Sequence, residues 1–246
     1  MTRRRWIADE VHGNTAALVG EHALHLTRVL RAEVGQEFDI ATGDAVRHGK
    51  ITSISGDRVE FALGEAQVMR PAPCVTLVLA IFKFDRMEWA IEKCTEIGVA
   101  RIIPVIARRT DVHLASAALK RHERWQRIAL QAAEQSRRPA PPEIAAPVKL
   151  KDLGSAGVSP ASRPEAGATA CRIVLAESEE DTQLRDVLKH HSTEATLAIG
   201  PEGGWADDEL QWFRESGWVP ASLGKTILRA ETAAIVAAAL AVDAMR

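Results

Sequence analysis

Two stretches near the C-terminus combine glycines with isolated charges in a way that suits ligand binding. In the first, LAIGPEGGWADDEL (Leu197–Leu210), a short apolar run meets a proline and three glycines and then a row of acids. Glycine carries no side chain, so such a loop lets backbone N–H and C=O groups come close to a bound molecule. The second, LGKTILRAET (Leu223–Thr232), has a similar character. GPEGG does not have the G-x-G-x-x-G spacing of a dinucleotide fold. LGKT ends like a P-loop, but that pattern requires a further glycine where this chain has Val219. Glu202, in the middle of the first loop, would repel a bare phosphate. It suits a ligand with a positive centre, or a heterocycle recognised mainly through backbone contacts.

The hydrophobic pattern supplies elements to hold these loops. Residues 1–70 alternate apolar and polar positions between turn signals at Gly43-Asp44 and Gly56-Asp57, which predicts a small β-domain closing as a barrel. One helical segment, EHALHLTRVLRAE, interrupts it, with Ala23, Leu26, Val29 and Leu30 on one face. MRPAPC (Met69–Cys74) reads as a linker. From Cys74 the rhythm changes to apolar strands separated by amphipathic helices, predicting a buried, mostly parallel sheet covered on its faces. The strands are CVTLVLAIF, ARIIPVIA, CRIVLAE, ATLAIG and VPASLG. One helix turns Met87, Ala90, Ile91, Cys94 and Ile97 inward, and a second, KRHERWQRIALQAAEQS, turns Trp125, Ile128, Ala129 and Ala132 inward. Residues 154–170 are dominated by small residues, glycine and proline and read as a flexible surface insertion without an assigned function. The last helix, AETAAIVAAALAVDAM, is apolar nearly all round and is expected to be covered on several sides, including by a second subunit.

Composition narrows the field. The chain has 246 residues, 46% of them hydrophobic, enough for one large or two unequal domains. No apolar segment follows the basic start as it would in a secretory signal, and the longest apolar run, Thr232–Val242, is short of a membrane span. An intracellular, cytoplasmic protein without membrane partners is the expectation. Cys74, Cys94 and Cys171 are isolated, odd in number and set in apolar runs, as reduced core thiols would be. The histidines show no ligand spacing, so no metal is expected. Net charge is −2, but Lys+Arg against Asp+Glu is 9 to 10 over residues 1–70, 13 to 8 over 71–150 and 9 to 15 over 151–246. A local basic excess suits a selectively bound anionic partner such as structured RNA, and equally an ordinary solvated surface.

AIGPEGGW followed by LGKTILRAETAAIVAAAL resembles the paired cofactor loops of SPOUT-class RNA methyltransferases. Within that class it is most similar to the RsmE-type enzymes, which methylate N3 of a uridine in bacterial 16S ribosomal RNA. HALHLTRVLR, KFDRMEWAIEKCTEIGV and KRHERWQRIALQAAEQSRR match the family in order along the chain. The resemblance implies an α/β fold: a PUA-like β-barrel over residues 1–70, then a SPOUT trefoil-knot methyltransferase domain over 71–246, working as a homodimer on 16S rRNA or the assembled small ribosomal subunit. It also implies S-adenosylmethionine as cofactor. Leu175, Ile199, Gly200, Pro201, Glu202, Gly203 and Gly204 would wrap it together with Leu223, Gly224, Ile227, Leu228, Arg229 and Thr232, whose hydroxyl would also cap the last helix. Gln135 and Arg138 would hold the uracil carbonyl oxygens, with Glu134 beside them. Arg137 stands where the family commonly has glycine, which leaves open which arginine acts. Glu231 is read either as a catalytic group or as an acid complementing a helix dipole. Arg4, Arg5, Arg28 and Arg31 would contact phosphates, and His25 would stack on a base. Two alternatives remain: a SPOUT enzyme for another RNA position, and a noncatalytic RNA-binding module.

Overall fold

The computed structural model describes residues 5–43, 45–67, 73–158, 170–189 and 194–245. The chain forms two compact units, one made of Met1–Pro71 with Ala133–Pro141 and the other of Ala72–Ala132 with Pro142–Arg246.

The first unit holds β1 (Arg5–Ile7), β2 (Glu10–His12), β3 (Thr15–Val19), β4 (Glu37–Ala41), β5 (Val46–Ser55) and β6 (Arg58–Gln67). Among the described residues they pair in the order β1-β4-β5-β6-β3-β2. Only the β1–β4 ladder is parallel. On β6, Val59, Phe61 and Leu63 point inward and alternate with more exposed residues, so the sequence alternation does mark the core face. They pack with Leu18, Ile40, Ile51 and Trp6. α1 (Glu21–Leu24) continues into a π-helical turn, His25–Val29, in which the Leu30 N–H donates to the His25 carbonyl. The wider turn breaks the expected face: Ala23 and Leu26 are fully buried, whereas Val29 is 64% exposed. Hydrogen bonds closing over five residues instead of four rotate Val29 out of the stripe.

The second unit is a parallel sheet of β7 (Cys74–Ala80), β8 (Arg101–Ile106), β9 (Glu143–Ile144), β10 (Val148–Lys149), β11 (Ala170–Leu175), β12 (Glu194–Ile199) and β13 (Val219–Ala221). The order is β10-β8-β7-β12-β11-β13, with β9 also on β8. Its helices are α2 (Phe84–Ile97), α3 (Val112–Gln135), α4 (Leu184–Leu188), α5 (Asp207–Glu215) and α6 (Ala230–Ala244). Both faces are covered, which is why the strands read as continuous apolar runs. Val75, Leu77, Leu79 and Ile81 face one cluster with Trp125, α2 and α6. Val78 and Ala80 face the other, with Trp205, Phe213 and Trp218.

α3 starts earlier than the periodicity suggests, because the Asp111 carboxylate accepts the His113 and Leu114 N–H groups (2.8 and 3.2 Å) and caps the helix there. α6 buries Ala230, Ala234, Ala237, Ala238 and Ala241 and packs on α2, α4, β7 and β12, while Leu240 is 38% exposed. Cys94 and Cys171 are buried, but Cys74 is exposed, as the first residue of β7 at the end of the sheet, where it pairs with exposed Glu194 of β12. Most of the Met69–Cys74 linker and of the 154–170 insertion lies outside the described residues, as does Arg4. Among the described residues, no helix is long and apolar enough to cross a membrane and no side-chain cluster could hold a metal ion.

Candidate functional site

In a parallel sheet, ligands bind where the strands end. At the carboxyl ends of β11, β12 and β13 the second unit has a cavity of about 520 Å³, within the usual range for small-molecule sites. Leu175 and Ile199 close β11 and β12 and form its floor. Gly200, Pro201, Glu202, Gly203 and Gly204 make one wall, and Leu223, Gly224, Ile227, Leu228 and Arg229 make another. Both loops are shaped by their glycines. Gly204, at φ 68°, donates its N–H to the Pro201 carbonyl at 2.8 Å, and Gly224, at φ 125°, is held by the Ser222 hydroxyl.

Thr232 is an exception among the expected cofactor residues. It does not line the cavity, and α6 begins after Arg229 without a side-chain cap. As the third residue of the helix, Thr232 is already past the N-cap position from which a hydroxyl reaches back to the free N–H groups.

The neighbouring β8–α3 loop fastens the first glycine loop, a role for which the sequence had no motif. Arg109 Nη1 donates to the Gly203 carbonyl at 2.6 Å. The Glu209 carboxylate, nearly buried, accepts both the Arg108 N–H at 2.7 Å and the Ala206 N–H at 2.9 Å. An ion pair joins Arg108 to Asp208. On the other side of the cavity Arg86 lies 4.0 Å from Glu202 and 3.8 Å from Glu231. Glu231 is the second residue of α6 and 4% exposed, and its Oε2 has no hydrogen-bond partner among the described residues.

These residues fit S-adenosylmethionine on chemical grounds. The cavity joins apolar walls for a heterocycle with Glu202, Glu177 and Asp207 for cationic groups and Lys225 and Arg229 for a carboxylate. A side chain at Gly203 would project toward Arg109, 3.5 Å from its Cδ, and so press on the cavity-lining side chain that holds the Gly203 carbonyl.

The end of α3 belongs to the first unit. Beyond Gln135 the chain turns through Arg137, at φ 59°, and the Arg138 N–H donates to the Ala133 carbonyl at 2.9 Å. The two arginines differ in environment: Arg137 and Gln135 are exposed, while Arg138 is half-buried and burial lowers its pKa. Arg5 donates to the Arg137 carbonyl, so this candidate phosphate contact is engaged in holding the turn. Glu134 Oε1 faces His22 Nε2 at 3.4 Å, and His22 Nδ1 in turn meets Asp9 Oδ1 at 3.0 Å. Burial raises the Glu134 pKa; the hydrogen bond to Asp9 raises that of His22. Asp9 and His22 escaped the sequence reading because only folding brings them to Glu134. Arg28, Arg31 and His25 are exposed, and the His25 ring meets buried Trp6 edge-on at 5.7 Å.

A family model described as an RNA methyltransferase domain matches residues 70–242. Ribosomal RNA small subunit methyltransferase E of Synechocystis sp. is 35% identical over 94% of this chain and 74% of its own length. The protein of that name from Aquifex aeolicus is 31% identical over 93% and 94%. The crystal structure of the Neisseria gonorrhoeae ribosomal RNA small subunit methyltransferase E bound to S-adenosyl methionine superposes with a TM-score of 0.80 at 28% identity, covering 97% of this chain and 96% of that one.

Proposed function

Because the chain belongs to the ribosomal RNA small subunit methyltransferase E family, we infer that it transfers a methyl group from S-adenosylmethionine to 16S ribosomal RNA, and specifically to N3 of a uridine. The observation that carries this reading is the cavity at the carboxyl edge of the parallel sheet, walled by two glycine loops and bearing charges of both signs. When bound there, the sulfonium supplies an electrophilic methyl carbon. The loop residues would align it and exclude water, and the Glu202 carboxylate on the cavity wall would complement its positive charge.

Uridine N3 carries a proton and is a poor nucleophile until the proton leaves. Arg138 and Gln135 hold the two uracil carbonyl oxygens, where negative charge gathers as N3 is deprotonated. The half-burial of Arg138 favours it over exposed Arg137 for this role, since a partly desolvated guanidinium interacts more strongly with developing charge. Arg28 and Arg31, with Arg4 by its sequence, would contact phosphates, Arg5 being engaged at the Arg137 carbonyl, with His25 available to stack, and the target base leaves its stack to react. The proposal includes the family architecture of a PUA-like barrel, a trefoil knot and a cytoplasmic homodimer.

The test is to incubate the protein with small subunits isolated from cells lacking this activity and methyl-labelled S-adenosylmethionine, then map the product by reverse transcription. N3 methylation blocks base pairing, so a stop at one uridine is expected. Label on another base or on a ribose supports a different RNA position, and cofactor binding without transfer supports a noncatalytic module.

A further inference from the structure

Arg86, in the first turn of α2, lies between two carboxylates of the second unit that differ in their setting. Its Nη1 is 4.0 Å from Oε1 of Glu202, in the first glycine loop, and its Nε is 3.8 Å from Oε1 of Glu231, near the start of α6. Both distances are about 1 Å longer than a charge-assisted hydrogen bond of roughly 2.7–2.9 Å, so the guanidinium is shared by the two carboxylates and closed on neither. Arg86 and Glu202 line the cavity, whereas Glu231 is not among the lining residues and is 4% exposed. Glu231 Oε2 is buried without a hydrogen-bond partner among the described residues. Such an acceptor is costly, and the positive end of the α6 dipole offsets only part of the cost. A guanidinium presents two parallel N–H donors that match a carboxylate, so a shift of about 1 Å would let Arg86 take both oxygens of Glu231. Arg109, the neighbouring cation on the cavity wall, is already held at the Gly203 carbonyl.

We propose that Arg86 exchanges partners as the charge in the cavity changes: without a cation there it screens Glu202, and with a sulfonium in place it closes on Glu231 and frees Glu202 for the positive charge. Glu231 is then a positioning residue, which acts on the cofactor through Arg86. The inference rests on S-adenosylmethionine occupying this cavity. Two carboxylates compete for one cation, so the more firmly Glu231 holds Arg86, the more of the Glu202 charge is available to the ligand. S-adenosylhomocysteine, the thioether left after methyl transfer, has a neutral sulfur and gives Glu202 nothing in return for Arg86. The site therefore holds the cofactor more firmly, relative to this product, than it would if Arg86 stayed on Glu202. The two ligands share their adenosine, ammonium and carboxylate groups, so the difference isolates the charge on sulfur.

The test is calorimetry of S-adenosylmethionine and S-adenosylhomocysteine with the full-length protein and with its Glu231→Gln, Arg86→Gln and double variants. The readout is the ratio of the two dissociation constants, in which contacts common to both ligands cancel. Glu231→Gln removes the alternative partner, so Arg86 stays on Glu202 and opposes the sulfonium. The ratio should shift against S-adenosylmethionine by on the order of tenfold, between the small effect of an exposed charge pair and the larger one of a desolvated pair. Arg86→Gln should shift it the other way, since Glu202 is then unscreened. The double variant should match Arg86→Gln, because Glu231 acts only through Arg86; a purely structural role for Glu231 would weaken both ligands alike. If Arg86→Gln leaves the buried Glu231 charge too poorly compensated to fold, the double variant, which removes both charges, decides that arm: its ratio should not move against S-adenosylmethionine. A Glu231→Gln ratio within about twofold of wild type, or a shift that persists undiminished without Arg86, overturns the proposal and leaves the cofactor site standing. A wild-type protein that binds neither ligand removes the cofactor reading and the exchange together.

Discussion

Glu209 joins the end of the first glycine loop to the β8–α3 loop, and replacing it tests how the glycine loop is held. Its carboxylate accepts two backbone N–H groups, Arg108 at 2.7 Å and Ala206 at 2.9 Å, with the residue only 8% exposed. Glu209→Ala removes both acceptors and fills neither place. Leaving each donor unsatisfied costs about 1–3 kcal/mol, and losing an acid from the first turn of α5 costs about 0.3–1 kcal/mol more. The sum is centred at about 4.7 kcal/mol, a large part of the roughly 5–15 kcal/mol that holds a typical domain folded. Glu209→Gln keeps one acceptor but turns an NH₂ toward the other donor, so about half that loss is expected. The Gln variant should remain folded and is the better probe. Trp205, Trp212 and Trp218 surround Phe213 of α5 at centroid distances of 4.9 to 5.2 Å, so urea unfolding followed by tryptophan fluorescence reports on this region. Because Arg109 reaches the Gly203 carbonyl from the same loop, cofactor affinity by calorimetry should weaken along with the unfolding midpoint. A Glu209→Gln protein within about 0.5 kcal/mol of wild type would refute the argument, since it would mean that these bonds contribute less than an ordinary buried hydrogen bond.

Gly203→Val should fold, because the added Cβ meets only the Arg109 side chain at ordinary contact distance, yet bind S-adenosylmethionine far more weakly by calorimetry; equal affinity in both proteins would show that the backbone at Gly203 does not approach the ligand. Arg28→Ala and Arg31→Ala should each lower the log–log salt slope of RNA binding by about 0.7–0.9 while leaving cofactor affinity alone, and an unchanged slope removes them from the interface. Mild alkylation near pH 8, read by mass spectrometry, should label exposed Cys74 first, because burial pushes the Cys94 thiol up to about 12 and the Cys171 thiol up to about 11. Since the folded-state pKa of His22 is raised, its stabilisation is complete below the unfolded pKa of about 6.5 and is lost as pH rises through the folded value. Urea midpoints of wild type and His22→Gln should therefore lie furthest apart near pH 5.5 and converge on the alkaline side, and a constant gap would contradict the pairing with Asp9.

Much of the second unit was legible in the chain itself. Strands covered on both faces must be apolar throughout, so β7, β8, β11 and β12 stood out as continuous runs, and Met87, Ala90, Ile91 and Cys94 marked the inner face of α2 by helical spacing alone. The cavity loops were legible because backbone approach to a ligand and positive φ both call for glycine, as at Gly204 and Gly224. Local pattern failed where a distant or irregular hydrogen bond decided the outcome. The π-turn turned Val29 outward, the Asp111 cap moved the start of α3 forward, and Thr232 fell past the capping position of α6. Arg109 and Glu209 at the glycine loop, and Asp9 and His22 at Glu134, came together only through tertiary structure, since each contact joins segments far apart in sequence. A sequence shows which residue types can do chemistry. Whether a carboxylate is solvated or held against an imidazole depends on the desolvation and partners that folding supplies, and those decide its charge.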